Sequence, residues 1–253
     1  MARLRDPGGC PWDREQSFAT IKDYFLEEAY ELLDAVETGD AEAMREELGD
    51  VLFEACFLSR IAEEQGLFDV YDAIGAIVEK LVRRHPHVFG EEKVTEASEV
   101  PGRWAKLKAQ EAKHKARASI LDGVPKSLPT LLQALRISER AVNVGFEWET
   151  VHDVLVKLDE EIGELKAAMA RGEPQERLED ELGDMLFTMV NVGRKLGVSP
   201  HDALRRTLEK FRRRFGRIEA WLRENGEKLD EAGLERLEAL WQAAKTEEND
   251  KTQ

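Results

Sequence analysis

At 253 residues, with 35% charged side chains and a formal net charge of −15, the chain lacks the basic face of a protein that coats nucleic acid, and no nucleic-acid polymer is expected as a partner. The N-terminal stretch Met1-Ala-Arg-Leu-Arg-Asp-Pro-Gly-Gly has no apolar signal core, and no apolar run approaches the length that spans a bilayer, so a cytoplasmic protein without membrane attachment is expected. Cys10 and Cys56 form neither a CxxC nor a Cys/His zinc spacing, which favours free thiols in a reducing compartment.

Ala, Glu, Leu, Lys and Arg dominate while β-branched alternation is scarce, so the spacing predicts an all-α protein. In the first half, helices are predicted over 18–38, 41–65 and 70–84, separated by turns at Gly39-Asp40 and Gly66. Pro86 ends the third, because it lacks a donor and biases His85 away from helix. A further helix is predicted over 100–118 through Trp104. The stretch 119–129, Ser-Ile-Leu-Asp-Gly-Val-Pro-Lys-Ser-Leu-Pro, reads as a linker between a first domain over 1–118 and a second over 130–246. Helices are predicted there over 130–144, 150–171, 174–196, 200–225 and 230–246, with Gly172, Gly197 and Gly226 as stops. Residues 247–253 are polar and are expected to be a disordered tail.

One acidic cassette occurs twice. Glu27-Glu28-x-x-Glu31 followed by Glu47-Leu-Gly-Asp50 recurs about 134 residues later as Glu160-Glu161-x-x-Glu164 followed by Glu181-Leu-Gly-Asp184. On a helix, Glu160, Glu161 and Glu164 share an arc of roughly 100°, and Glu181 and Asp184 share a face of the next helix. Two antiparallel helices thereby aim five carboxylates at one volume. Such a cluster repels itself unless a hard divalent cation neutralises it, and oxygen-only ligands favour Mg²⁺, with Mn²⁺ as a substitute, over Zn²⁺. Glu-Glu-x-x-Glu alone is common on solvated helices. The duplication, with apolar residues interleaved in both copies, argues that this face points inward.

The repeat continues past the acids. Glu79-Lys-Leu-Val-Arg-Arg84 matches Glu209-Lys-Phe-Arg-Arg-Arg214, and Trp104-x-x-x-Lys108 matches Trp241-x-x-x-Lys245. Cations that bind phosphate oxygens directly, beside carboxylates that bind them through metal, suit a polyphosphate. Trp241 then has two readings, a platform for a base and a core side chain.

Cys10-Pro-Trp-Asp13, Leu26-Glu-Glu-Ala-Tyr-Glu31, Glu47-Leu-Gly-Asp50, Arg84-His-Pro-His-Val-Phe89, Asp122-Gly-Val-Pro125, Val144-Gly-Phe-Glu-Trp148 and the second acidic cassette together resemble the tandem-domain MazG family of nucleoside triphosphate pyrophosphohydrolases. The resemblance runs through nearly the whole chain in order. It implies four-helix-bundle catalytic units completed in a homodimer, and Mg²⁺-assisted hydrolysis of nucleoside triphosphates to monophosphate and pyrophosphate. Carried onto this sequence, the metal ligands are Glu161, Glu164, Glu181 and Asp184, with a possible second site at Glu28, Glu31, Glu47 and Asp50. Substrate contacts fall on Lys157, Leu158, Asp159, Glu160, Glu161, Arg177, Leu178, Glu179, Asp180, Lys210, Arg213, Arg214 and Trp241. Lys157 and Asp159 correspond to Tyr24 and Leu26 in the first copy, which favours the second copy as the catalytic one. Glu147 stands where many members carry Asp.

In the mechanism so implied, water attacks the α-phosphorus. Glu161 and Glu160 act in catalysis, the latter orienting or deprotonating the water, while Lys210, Arg213 and Arg214 stabilise the departing pyrophosphate. Two other readings of the same residues stay open: an acidic helical module that binds a basic regulatory partner, and a structural metal-binding bundle without turnover.

Overall fold

The structure is a computed structural model that describes residues 1–90, 96 and 119–250, with the side chains of 249 and 250 left aside. The chain divides into two compact units, Met1–Glu111 and Ala112–Gln253. Among the described residues every regular element is a helix, as composition and spacing predict, and none is long and apolar enough to cross a membrane. The helix expected over 100–118, with Trp104 and Lys108, lies outside the described residues.

Unit 1 contains α1 (Ala2–Arg5), α2 (Pro11–Glu15), α3 (Phe18–Thr38), α4 (Ala41–Glu64), α5 (Val70–Arg84) and α6 (Pro86–Phe89). Ser17 and Thr20 close a capping box at the start of α3, and Asp40 caps α4 by accepting from the amides of Glu42 and Ala43. Between them Gly39 takes the left-handed conformation, φ 71°, that a residue with a side chain adopts only at a cost. The turn folds α3 and α4 into an antiparallel hairpin, the most extensive helix contact of the unit. Its core is Ile21, Phe57 and Ile61, with Met1, Phe18 and Leu58 packed against it. The one-turn helices α1, α2 and α6 are not foreshadowed by periodicity, since they are too short to show any. Arg5 anchors the first two: its guanidinium pairs with Glu64 at 2.7 Å, donates to the carbonyls of Asp13 and Gln16, and lies 5.1 Å from the centroid of the Phe57 ring.

Unit 2 repeats the hairpin with α8 (Val151–Arg171) and α9 (Gln175–Leu196), preceded by α7 (Thr130–Val142) and followed by α10 (Pro200–Glu224) and α11 (Gly233–Asp250). Thr150 and Asp153 form the capping box of α8, and Gly172, φ 63°, ends it. Val154 and Ala168 take the buried places that Ile21 and Ala35 hold in unit 1, so the two hairpins share a packing register. A second core gathers Ile218, Leu222 and Leu240 with Trp241, where α11 returns along α10. The junction segment is tied to α7 by Arg140, which donates to the carbonyls of Ile120, Asp122 and Gly123. The expected disordered tail does not begin at 247. Helix α11 continues to Asp250 because Glu247 and Glu248 pair with Arg217, Arg213 and Arg214 of α10.

Candidate metal centre and active site

In unit 2 the hairpin brings Glu161 and Glu164 of α8 to Glu181 and Asp184 of α9. One carboxylate oxygen from each of Glu161, Glu181 and Asp184 lies within 4.8 Å of the other two. Glu161 is 5% exposed and Glu181 1%, so two of the three acids are withdrawn from water. Lys157, one turn before Glu161, reaches Glu160 and Glu161 at 2.9 Å each, and Arg177 pairs with Glu181. The two carboxylates push the Lys157 ammonium above its usual range, chiefly through hydrogen bonds from Lys157 to Glu161 and Glu160. Glu164 is pushed up by burial and then by the charges of Glu181 and Glu161. Glu181 Oε2 is buried without any hydrogen-bond donor. A buried carboxylate oxygen without a donor in a cluster of acids is costly, and a divalent cation with oxygen preference is a ligand that removes the cost. The donor set therefore fits a hard divalent ion.

Unit 1 builds the same cage from Glu28 on α3 with Glu47 and Asp50 on α4, again with one oxygen of each within 4.8 Å of the others. Its electrostatics differ. Tyr24 and Ala43 stand where unit 2 has Lys157 and Arg177. Glu28 is pushed up by burial, then Asp50, Glu31 and Glu27; Glu47 by burial, then Glu31, Glu28, Asp50 and Glu46. Two acids that the repeat does not single out lie beside this cage. Glu54, 8% exposed, is pushed up by burial and then by Glu28, Asp50 and Asp13, and Asp13 is itself 8% exposed. The signal for Glu54 is nevertheless in the sequence: Glu47, Asp50 and Glu54 stand at i, i+3 and i+7, one helix face.

The remaining substrate-side residues divide into those at the cage and those apart from it. Leu158 and Leu178 are half-buried, whereas Asp159, Glu179 and Asp180 are exposed. Among the described residues no ion pair joins Lys210, Arg213 or Arg214 to the cage acids Glu161, Glu164, Glu181 and Asp184. Lys210 is exposed, and Arg213 and Arg214 instead bind Glu248, the latter pair at 2.7 Å. Trp241 lies 5.1 Å from the Phe211 ring and 5.7 Å from the Arg214 guanidinium, packed on the Ile218 core. That position is the packing reading of this side chain. Glu147, in the segment before α8, forms a two-pronged pair with Arg194 at 2.5 and 2.7 Å and reaches Lys195.

The duplicated hairpin matches a known family twice. The model described as the MazG nucleotide pyrophosphohydrolase domain matches residues 16–89 and 149–217, one hairpin and its following helix in each unit. The chain belongs to the MazG family. Over 252 residues it is 46% identical to a nucleoside triphosphate pyrophosphohydrolase of Escherichia coli (strain K12), with 99% of this chain and 96% of that protein covered. It is 42% identical over 249 residues to the nucleoside triphosphate pyrophosphohydrolase/pyrophosphatase MazG of Thermotoga maritima, covering 97% and 92%. A crystal structure of a MazG-related protein from Thermotoga maritima aligns with 40% of this chain and 89% of its own, at 31% identity and a TM-score of 0.36. Both acidic cassettes, the Lys210 to Arg214 segment and Glu54 lie inside the two MazG matches; Asp13 and Trp241 lie outside them.

Proposed function

We propose that this MazG protein hydrolyses nucleoside and deoxynucleoside triphosphates in the cytoplasm to the monophosphate and pyrophosphate, and that unit 2 carries the reaction. The observation behind this reading is the cage itself: three carboxylate oxygens within 4.8 Å, two of the acids buried, and one buried oxygen without a donor. Glu161, Glu181 and Asp184, with Glu164 beside them, would hold Mg²⁺, or Mn²⁺ in its place. The bound cation supplies charge neutralisation for the triphosphate and makes a nearby water more acidic.

The chain's own residues supply position and charge. Glu160, exposed at the rim and already hydrogen-bonded by Lys157, orients the attacking water and takes its proton. A new P–O bond forms at the α-phosphorus as the bond to the β-phosphate oxygen breaks, and the electron pair leaves with pyrophosphate. Lys157 and Arg177 pair with Glu161 and Glu181 in the free protein, and would be released to bind phosphate oxygens if those acids held the cation. Lys210, Arg213 and Arg214 stabilise the leaving group after exchanging Glu248 for phosphate. Asp159, Leu158 and the Arg177 to Asp180 segment border the bound nucleotide, and Trp241 offers a face to the base.

The functional form is a homodimer. Helix α5 buries none of its residues in a single chain, although Tyr71, Ile74, Val78 and Leu81 make a continuous apolar face, and α10 exposes Leu204, Leu208 and Phe211.

Product analysis by anion exchange tests the reaction, using each triphosphate with Mg²⁺ and with EDTA. Metal-dependent monophosphate plus pyrophosphate is expected. Diphosphate plus phosphate, or no product, would discard the reading and leave a binding module.

A further inference from the structure

Lys210, Arg213, Arg214 and Arg217 stand at i, i+3, i+4 and i+7, so α10 presents four cations along one face. On α11 the packed stripe runs through Leu237, Leu240, Trp241 and Ala244, and the helical period carries it on to Glu247 and Glu248. Two glutamates thus stand where apolar residues would continue the stripe, and both are half-buried while Lys245 and Thr246 before them are exposed. Each oxygen of the Glu248 carboxylate takes one guanidinium: Oε1 accepts from Arg213 Nε, and Oε2 from Arg214 Nε at 2.7 Å. Glu247 Oε2 accepts from Arg217 Nε at 3.0 Å. A carboxylate shared by two guanidiniums engages the donors that a phosphate group would engage. Hydrogen bonds from Arg214 and Arg213 hold the Glu248 carboxyl below its ordinary range, so it stays an anion.

Aromatic rings place two of the arginines independently of the glutamates. The Arg214 guanidinium lies 5.7 Å from the Trp241 ring centroid, and that of Arg217 lies 4.7 Å from the Trp221 ring centroid. The glutamates themselves belong to the last turn of α11, where a helix opens most readily, and partly exposed ion pairs are weak enough for a polyanion to displace. We infer that Glu248, assisted by Glu247, is an internal occupant of a phosphate site on α10, and that it sets the affinity for triphosphate by competing for Arg213 and Arg214. A triphosphate that reaches these cations displaces the last turn of α11, and departure of pyrophosphate lets that turn return. The inference rests on reading Lys210, Arg213 and Arg214 as the cations of the leaving group, and adds the group that holds two of them between turnovers.

The test combines steady-state kinetics of the full chain, on a nucleoside triphosphate with Mg²⁺, with calorimetric titration of inorganic tripolyphosphate in the absence of divalent ions. Glu248→Gln keeps the shape of the side chain and removes its charge. It should lower KM and the tripolyphosphate Kd together by about three- to tenfold, the scale of one or two partly exposed ion pairs, with kcat unchanged. Adding Arg213→Gln and Arg214→Gln to that variant should cancel the gain in tripolyphosphate affinity. Glu238→Gln makes the same change of charge at an exposed α11 position bonded to Gln242, and should leave both constants at their parent values. Circular dichroism and melting establish that each variant is folded. A raised KM in Glu248→Gln would show that Glu248 positions the arginines, and would overturn the inference. An equal gain in Glu238→Gln would overturn it too, by tracing the effect to net charge. If the parent turns over no triphosphate, the proposed function fails while the tripolyphosphate titration still decides the inference. Turnover in the parent, with tripolyphosphate affinity unmoved by Glu248→Gln, would sink the inference alone.

Discussion

Glu161 and Asp184 occupy contrasting places in one cage: Glu161 is buried at 5% exposure and held by Lys157, while Asp184 is exposed at the mouth. Both nevertheless present an oxygen to the same small volume, so each amide substitution removes a unit of negative charge without changing side-chain shape. Glu161→Gln and Asp184→Asn are each expected to lower pyrophosphohydrolase turnover by about a thousandfold or more, in line with losing a charge that acts in the transition state. Circular dichroism and melting should show the fold retained. Near-normal turnover in either variant would remove the residue from the site. At this scale the sequence was a good guide to which acids converge, because a duplicated i, i+3/i+4 pattern encodes a shared face. It was a poor guide to Asp13, buried in the one-turn helix α2, to the depth at which Glu54 sits, and to Glu248, which meets Arg213 and Arg214 only because α11 folds back on α10.

The helices that carry the site were legible where capping and periodicity agree. Ser17, Asp40 and Thr150 mark the starts of α3, α4 and α8, and Gly39 and Gly172 mark the ends of α3 and α8, so the two hairpins form where the local signals place them. The far end of α11 was not legible, since its last turn is fixed by ion pairs to another helix rather than by its own composition. A similar long-range tie holds the segment before α8 to α9. Arg194, assisted by Lys195, holds the Glu147 carboxyl down at about 2, against an ordinary value near 4.5. A carboxyl whose folded pKa is depressed adds stability above its unfolded value, and that stability is lost as pH falls toward the folded one. The pair is a quarter exposed on the Glu147 side, so its contribution at neutral pH is about 2 kcal/mol rather than the full value of the shift. Glu147→Gln should therefore melt earlier than the parent at pH 7, and the difference should close between about pH 5 and pH 2. A difference that stays constant across that range would show that packing, not charge, ties this segment to α9.

At the scale of the molecule, tandem duplication has produced two units that share a hairpin and differ in charge. Unit 2 gains Lys157 and Arg177 at its acids; unit 1 gains Glu54 and loses both cations. Duplication made the family visible in the sequence. The buried carboxylate oxygens without a donor, one on Glu54 and one on Glu181, became visible only with burial, because a helix pattern gives direction but not depth.

Assembly follows from the surfaces that a single chain leaves bare. In α5, Tyr71 is 78% exposed, and Ile74, Val78 and Leu81 follow it on the same stripe. In α10, Leu204, Leu208 and Phe211 form a second stripe on the helix that also carries Lys210, Arg213 and Arg214. An apolar stripe of this kind is stable in water when another copy covers it, and about 25 cal/mol is gained per Å² of apolar surface removed from solvent. Sedimentation velocity should find a species of about twice the chain mass of 28.8 kDa at micromolar concentration. Val78→Asp and Leu208→Asp, each placing a charge at the centre of one stripe, should shift that species toward monomer. If only Leu208→Asp lowers turnover along with the dimer fraction, pairing through α10 positions its cations for catalysis. A parent protein that sediments as a monomer throughout would instead require these stripes to be covered within the chain.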